Sequence, residues 1–219
     1  MSEVILKALM QLFALLTKQD GGVEEKEKNY VSNFLKQQLD RKNVSYYYSL
    51  FEKHAGIDKD SPGKNTSEKL TSVLDSVRIL SICKKINKTL HQDQKVIVLL
   101  RLYELVNTDK KFTKQRMAII TTVADVFKIN KSEAASIEKY VTVEAPTKFS
   151  DPNILIVNDQ ETNYKDTLHL QSDKLDGHLF FLRVSSVGLY FIRYTGSGEL
   201  FLNGLTINPS RIYLFANGS

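Results

Sequence analysis

At 219 residues, 42% hydrophobic and 25% charged, the chain is long enough for one or two domains with a real core. No apolar run approaches the length of a membrane span, no basic region precedes an apolar stretch at the start, and a single cysteine, Cys83, excludes an intrachain disulfide. The net charge of +5 is uneven, with 24 Lys and Arg against 18 Asp and Glu in residues 1–145 and 6 against 7 in residues 146–219. A basic excess suits an anionic partner such as a membrane surface or nucleic acid, but these lysines are scattered. Only Lys84-Lys85-Asn87-Lys88 forms a local cluster, and no nucleic-acid motif accompanies it, so the charge reads as a solubilising surface.

In chain order, the first region predicts about seven amphipathic helices. Val4–Lys18 carries Ile5, Leu6, Leu9, Phe13 and Leu16 on one side, and Glu24–Arg41 carries Tyr30, Val31, Phe34, Leu35 and Leu39. Val44–His54 is short and aromatic and ends near Gly56. Its three adjacent tyrosines, Tyr46, Tyr47 and Tyr48, cannot share one helix face, so one is expected in the core and another in solvent. Ile57–Thr66 has a loop composition, after which Ser67 is expected to cap a helix running through Leu70, Val77, Leu80 and Ile86 to about Thr89. Cys83 on that helix reads as a small buried hydrophobe in a reducing, cytoplasmic compartment. Gln92–Asn107, Thr113–Lys128 and a last helix through Ala134, Ile137 and Tyr140, capped by Asn130 or Ser132, complete the set.

At Glu144-Ala145-Pro146-Thr147 the period changes from helical to two. The expected organisation is an all-helical domain over 1–145, a linker over 146–150 and a small antiparallel β module over 151–219. Its candidate strands are Ile154–Val157, Thr167–Leu170, Leu179–Val184, Leu189–Tyr194, Glu199–Leu202, Leu205–Ile207 and Ile212–Phe215, with Asn203-Gly204 as a two-residue hairpin signal. Seven short strands offer limited core, and Ile212–Phe215 is followed only by a turn. The module is therefore expected either to be incomplete as given or to complete its sheet through a symmetric contact in a homodimer. Tyr190, Phe191, Phe201 and Tyr213 are its candidate buried aromatics.

Within the helical region two segments repeat. Asp20–Glu27 reads Asp-Gly-Gly-Val-Glu-Glu-Lys-Glu, and Asp109–Arg116 reads Asp-Lys-Lys-Phe-Thr-Lys-Gln-Arg, an offset of 89 residues from Asp20 to Asp109. At that offset Leu9, Phe13 and Leu16 align with Val98, Leu102 and Leu105, and Val23, Val31 and Phe34 align with Phe112, Ile120 and Val123. This predicts a duplicated helix–acidic turn–helix unit whose copies pack face to face. Converging carboxylates hold a hard cation, so Asp20, Glu24, Glu27 and Asp109 are the candidate ligands for a divalent cation. The same residues also suit helix capping, with Glu27 in the capping-box position, and that reading ranks ahead of metal for the first copy. In the second copy Lys110 replaces glycine and Arg116 replaces glutamate, placing positive charge where a cation would sit. If the turns face each other, Arg116 is expected to pair with Asp20 or Glu27 in place of an ion.

The motif Asp20-Gly21-Gly22-Val23 with Glu27, its weaker recurrence at Asp109, Phe112 and Thr113, and the helix count resemble the tellurite-resistance TerB-like family over about residues 3–142. The resemblance implies an all-helical domain with acidic residues at its centre, implicated in cation binding and often fused to membrane-linked or signalling modules. The whole arrangement, through Phe201-Leu202-Asn203-Gly204 and Arg211-Ile212-Tyr213-Leu214, is similar to the N-terminal extension of large bacterial ABC-transporter ATP-binding proteins. That similarity implies an ATPase downstream of Ser219.

No Gly-x-x-x-x-Gly-Lys-Ser/Thr loop occurs in the chain, and no catalytic arrangement emerges, so an enzyme is not expected here. His54, His91, His169 and His178 are dispersed, and Ser185-Ser186 is turn chemistry. A phosphopeptide-reading β module would need a Gly-Arg turn and a Ser-x-x-His pair that are missing. The leading reading is a non-catalytic accessory or regulatory module, partnered by the ATPase and membrane domains of a transporter and lying in the cytoplasm at the inner membrane face. The runner-up is a cation-binding module of a tellurite or stress response. Nucleic-acid binding ranks third.

Overall fold

A computed structural model describes residues 3–20, 22–57, 72–209 and 211–215, with the backbone alone for Asp20, residues 72–76 and Arg78. The expected loop over 57–66 and the Ser67 cap lie almost wholly outside the described residues. Among those described, seven α-helices precede the first strand, so the fold is the expected helical region followed by a small β-sheet module. The chain forms two compact units, Met1–Lys131 and Ser132–Ser219.

The first unit holds α1 (Glu3–Thr17), a 3-10 turn (Lys18–Asp20), α2 (Glu25–Gln38), α3 (Arg41–Ala55), α4 (Ser72–Asn87), α5 (Gln92–Asp109) and α6 (Lys114–Val126). Helix α1 is apolar nearly all round, and eleven of its residues, from Ile5 to Thr17, are buried. A helix of that composition has to sit at the centre of a bundle. It packs against α3, α4 and α5, while α2 packs on α3 and α5 and α6 on α4 and α5. The two pre-turn helices, α1 and α5, thus form the middle of the unit, as the repeat implies.

Helix α2 stops three residues before its expected end because Asp40 starts the next helix. The Asp40 carboxylate accepts a hydrogen bond from the Asn43 N–H at 2.9 Å, and α3 closes on Gly56, whose φ of 74° suits a residue without a Cβ. Tyr47 is buried and Tyr46 is 52% exposed, so the tyrosine run divides between core and solvent. Cys83 is buried, and burial pushes its thiol up to about 12, the behaviour of a core residue and not of a nucleophile.

The second unit contains α7 (Lys131–Thr142), a 3-10 turn (Pro146–Lys148) and strands β1 (Ile154–Asn158), β2 (Leu168–Gln171), β3 (Leu179–Val184), β4 (Leu189–Tyr194), β5 (Phe201–Leu202), β6 (Leu205–Thr206) and β7 (Ile212–Phe215). A five-stranded sheet runs β2-β1-β3-β4-β7, and β5–β6 is a separate hairpin. Asn203 and Gly204, with φ of 51° and 77°, make the predicted two-residue turn.

Three expectations for this region need correction. The sheet is mixed and not purely antiparallel, because β2 pairs parallel to β1 after the long connection from Asp159 to Thr167. Strand β7 has a neighbour in its own chain, pairing with β4 from Tyr190↔Phe215 to Arg193↔Ile212. Phe201 is 61% exposed, whereas Phe191 is buried.

The compact units part at Lys131, while the expected boundary lay at 145, because α7 packs with the sheet. The Tyr140 hydroxyl donates to the Phe180 carbonyl at 3.1 Å, and Glu133 accepts from the Ser186 N–H at 2.8 Å. Arg193 on β4 closes the end of α7. Its guanidinium donates to the carbonyls of Val141 (3.3 Å) and Val143 (2.6 Å) and lies over the rings of Tyr140 and Phe180. The other sheet face buries Ile192, Tyr194 and Ile207, with Leu202 of the hairpin against them.

Candidate functional site

Both predicted turns begin at a helix end and finish at a new N-cap. In the first, the 3-10 turn ends at Asp20, Gly22 has φ 138°, and Glu24 is the N-cap of α2. The third residue of α2 is Glu27, whose carboxylate accepts from the Glu24 N–H at 2.8 Å, the capping role its spacing implied. In the second turn α5 ends at Asp109, Lys110 takes the left-handed conformation with φ 59°, and Thr113 caps α6 by accepting from the Arg116 N–H at 3.3 Å. Helices α2 and α6 begin at Glu25 and Lys114, the same 89-residue offset that relates the two sequences.

Capping leaves one Glu27 oxygen free, and that oxygen meets the residue at its own equivalent position. Arg116 Nη2 lies 2.8 Å from Glu27 Oε1, across 89 residues of sequence, and Arg116 Nη1 lies 2.7 Å from Asp109 Oδ2. All three side chains are nearly sealed, at 1%, 1% and 2% exposure for Arg116, Glu27 and Asp109. One guanidinium therefore bridges the two turns with each of its terminal nitrogens on a different carboxylate. At the rim of the same junction Lys111 pairs with Glu24, both side chains nearly half exposed.

Desolvation dominates the electrostatics. Burial pushes the Glu27 carboxyl above its ordinary value, against the Glu24 N–H and Arg116, which pull it down, while Asp109 adds to the rise. Burial thus outweighs the Glu24 N–H and Arg116 in setting the direction for this one carboxyl.

The four candidate cation ligands take these places. Glu27 and Asp109 meet on Arg116, Glu24 faces Lys111, and the side chain of Asp20 lies outside the described set. Among the described residues no group of three or more His, Cys, Asp or Glu side chains is placed to hold a metal ion. The described carboxylates, each facing a basic side chain, do not fit a cation cage in this arrangement. Phe112, the residue aligned with Val23, is 39% exposed and anchors less than its position suggests.

Two further polar clusters escaped the sequence reading. On α2 and α5, Tyr30 donates to Glu104 at 2.9 Å, Glu104 also pairs with Arg101, and Phe34 lies 5.8 Å beneath the guanidinium. Burial first, and then the Glu104 charge, hold the Tyr30 hydroxyl well above its usual range. The three-residue spacing of Arg101 and Glu104 was the available signal. In the second unit, fully buried Asn158 gathers two histidines that are distant in sequence. His169 Nε2 is 2.9 Å from its Oδ1 and His178 Nδ1 is 3.3 Å from its Nδ2, which also donates to Tyr164 at 2.9 Å. Nothing in linear spacing brings β1, β2 and β3 together there.

A helical domain with acidic residues at its centre is what the tellurite-resistance resemblance implied, and the paired turns are what the 89-residue repeat predicted. A family model for the tellurite resistance protein TerB matches residues 6–139. The chain belongs to the TerB family. The TerB match runs from α1 into α7, covering both acidic turns and every member of the Arg116 cluster. No curated protein and no solved structure matches the chain.

Proposed function

We propose that this TerB-family chain is a non-catalytic accessory module that connects partners to the ATP-binding protein of a bacterial ABC-type transporter. The observation that carries the reading is the Arg116 bridge. Two buried carboxylates share one buried guanidinium supplied by the chain itself, a contact that locks the two turns together, and among the described residues no group of three or more His, Cys, Asp or Glu is placed to hold a metal ion. The order of a helical unit followed by a small sheet supports the transporter context, and the absence of a phosphate loop from the sequence supports a role without nucleotide chemistry. No helix among the described residues is long and apolar enough to cross a membrane.

Purified residues 1–219 are expected to show no saturable ATP turnover and no calorimetric heat with calcium, magnesium or manganese. Stoichiometric cation binding lost in Glu27→Gln would favour the second reading, a cation-responsive module of a tellurite or stress system. Reading the gene past codon 219 tests the transporter context: no phosphate-loop motif there would sink it.

A further inference from the structure

Helix α4 has two unlike faces. Ile79, Cys83 and Ile86 are buried. At 3.6 residues per turn the opposite face presents Val77, Leu80, Lys84 and, one step past the helix end, Lys88, with Lys85 beside them. All five are exposed, Val77 at 60% and Leu80 at 36%. None of the three lysines makes an ion pair with a described residue. Lysines in a last turn gain from the helix dipole, which accounts for their position but not for two large aliphatic side chains standing in water beside them.

We propose that this face of α4 docks on an anionic lipid bilayer. The ammonium groups sit at the level of acidic headgroups, while their stems and the side chains of Val77 and Leu80 enter the acyl boundary. Charge complementarity selects the partner's sign, and the aliphatic pair selects lipid over nucleic acid. Single strands are held on rings on which bases stack, and the described side chains of this face include none, while a duplex backbone of phosphates offers no apolar layer for Val77 and Leu80. The attachment is peripheral, in keeping with the lack of a spanning helix among the described residues. It is independent of the accessory role: vesicle binding decides this proposal, whereas ATP turnover and cation calorimetry decide that one.

The test is co-sedimentation of the purified 219-residue chain with phosphatidylserine–phosphatidylcholine vesicles and, separately, with pure phosphatidylcholine vesicles. Binding to the anionic vesicles alone is expected, weakening as salt rises. Each lysine-to-glutamine change should weaken it about fivefold, and Lys84→Gln/Lys85→Gln/Lys88→Gln together on the order of a hundredfold. Val77→Ser/Leu80→Ser should weaken it at unchanged charge. Circular dichroism checks the fold of each variant, and if the triple change unfolds the helix, Lys88→Gln, outside it, carries the test. A wild-type chain that stays in the supernatant with anionic vesicles overturns the proposal. So does a triple variant that binds like wild type, or binding to duplex DNA without binding to vesicles.

Discussion

The turn after α1 and the turn after α5 share one frame and carry opposite charge at the same position. Both end a central helix, both finish at an N-cap, and both place the third residue of the next helix in the interior. In the first that residue is Glu27 and in the second it is Arg116, and the two meet at 2.8 Å. The difference shows how a duplicated acidic unit becomes self-contained. Two like copies would bury two carboxylates against each other and need an external cation, whereas one reversal of charge supplies the counter-ion from the chain itself.

The sharpest way to break this relationship is to remove the guanidinium. Arg116→Met leaves Glu27 and Asp109 buried together without a positive partner, and loss of one member of a buried pair costs about 3–5 kcal/mol. Urea denaturation should show that loss. The double change Glu27→Arg/Arg116→Glu should recover part of what Arg116→Glu alone forfeits, since the two positions are equivalent. A Met variant as stable as wild type would mean that the bridge contributes nothing to holding the turns together.

The next effect is one of pH. The folded-state value of Glu27 is raised above the ordinary glutamate value of 4.5, chiefly by burial. The native state therefore binds this proton more readily than the unfolded chain does. The associated stabilisation is complete below the unfolded value and is lost as pH rises through the folded one. Relative to Glu27→Gln, which does not titrate, the wild type should become progressively more stable as pH falls from neutral towards 4.5. Urea midpoints of both proteins across that range are the measurement, and the opposite slope would show that Arg116 outweighs burial.

Much of this arrangement was legible in the residues. Helical period, the 89-residue offset and the acid-to-base reversal at Arg116 are local or repeated patterns, and together they anticipated both the capping role of Glu27 and its partner. The seven α-helices and seven strands among the described residues followed from periodicity, and even Asn203-Gly204 announced its hairpin. Pairing was another matter. Alternation along Thr167–Leu170 says which side chains share a face but not that the strand runs parallel to β1. Helix α7 has the same period as its predecessors, and only contacts such as Tyr140 with Phe180 and Arg193 with Val143 assign it to the sheet. His169 and His178 meet at Asn158 through strand register, which no spacing rule encodes.

A smaller effect sharpens the comparison at the residue after Asp109. Lys110 sits at φ 59°, where the first copy has glycine in sequence. A left-handed conformation costs an L-residue about 1–2 kcal/mol. Glycine in its place forfeits about 0.5–1 kcal/mol through the greater freedom of the unfolded chain. Lys110→Gly is therefore expected to stabilise the protein by about 0.5–1 kcal/mol, read as a rise in the urea midpoint. A loss of stability would mean that the lysine side chain contributes more than its backbone strain removes.

The smallest effect belongs to the rim. Lys111 and Glu24 join the same two turns as Arg116 and Glu27, but their side chains are 46% and 41% exposed. Water screens such a pair, and holding two flexible side chains together cancels much of the attraction. In a double-mutant cycle of Lys111→Ala with Glu24→Ala, the coupling should emerge only at low ionic strength and vanish into experimental error at physiological salt. The cycle separates that coupling from whatever Glu24 contributes alone as the N-cap of α2. The corresponding cycle on Arg116 and Glu27 should keep its coupling at both salt concentrations, because no solvent reaches between those groups. Equal coupling and equal salt dependence at rim and core would show that burial is not what distinguishes the two bridges.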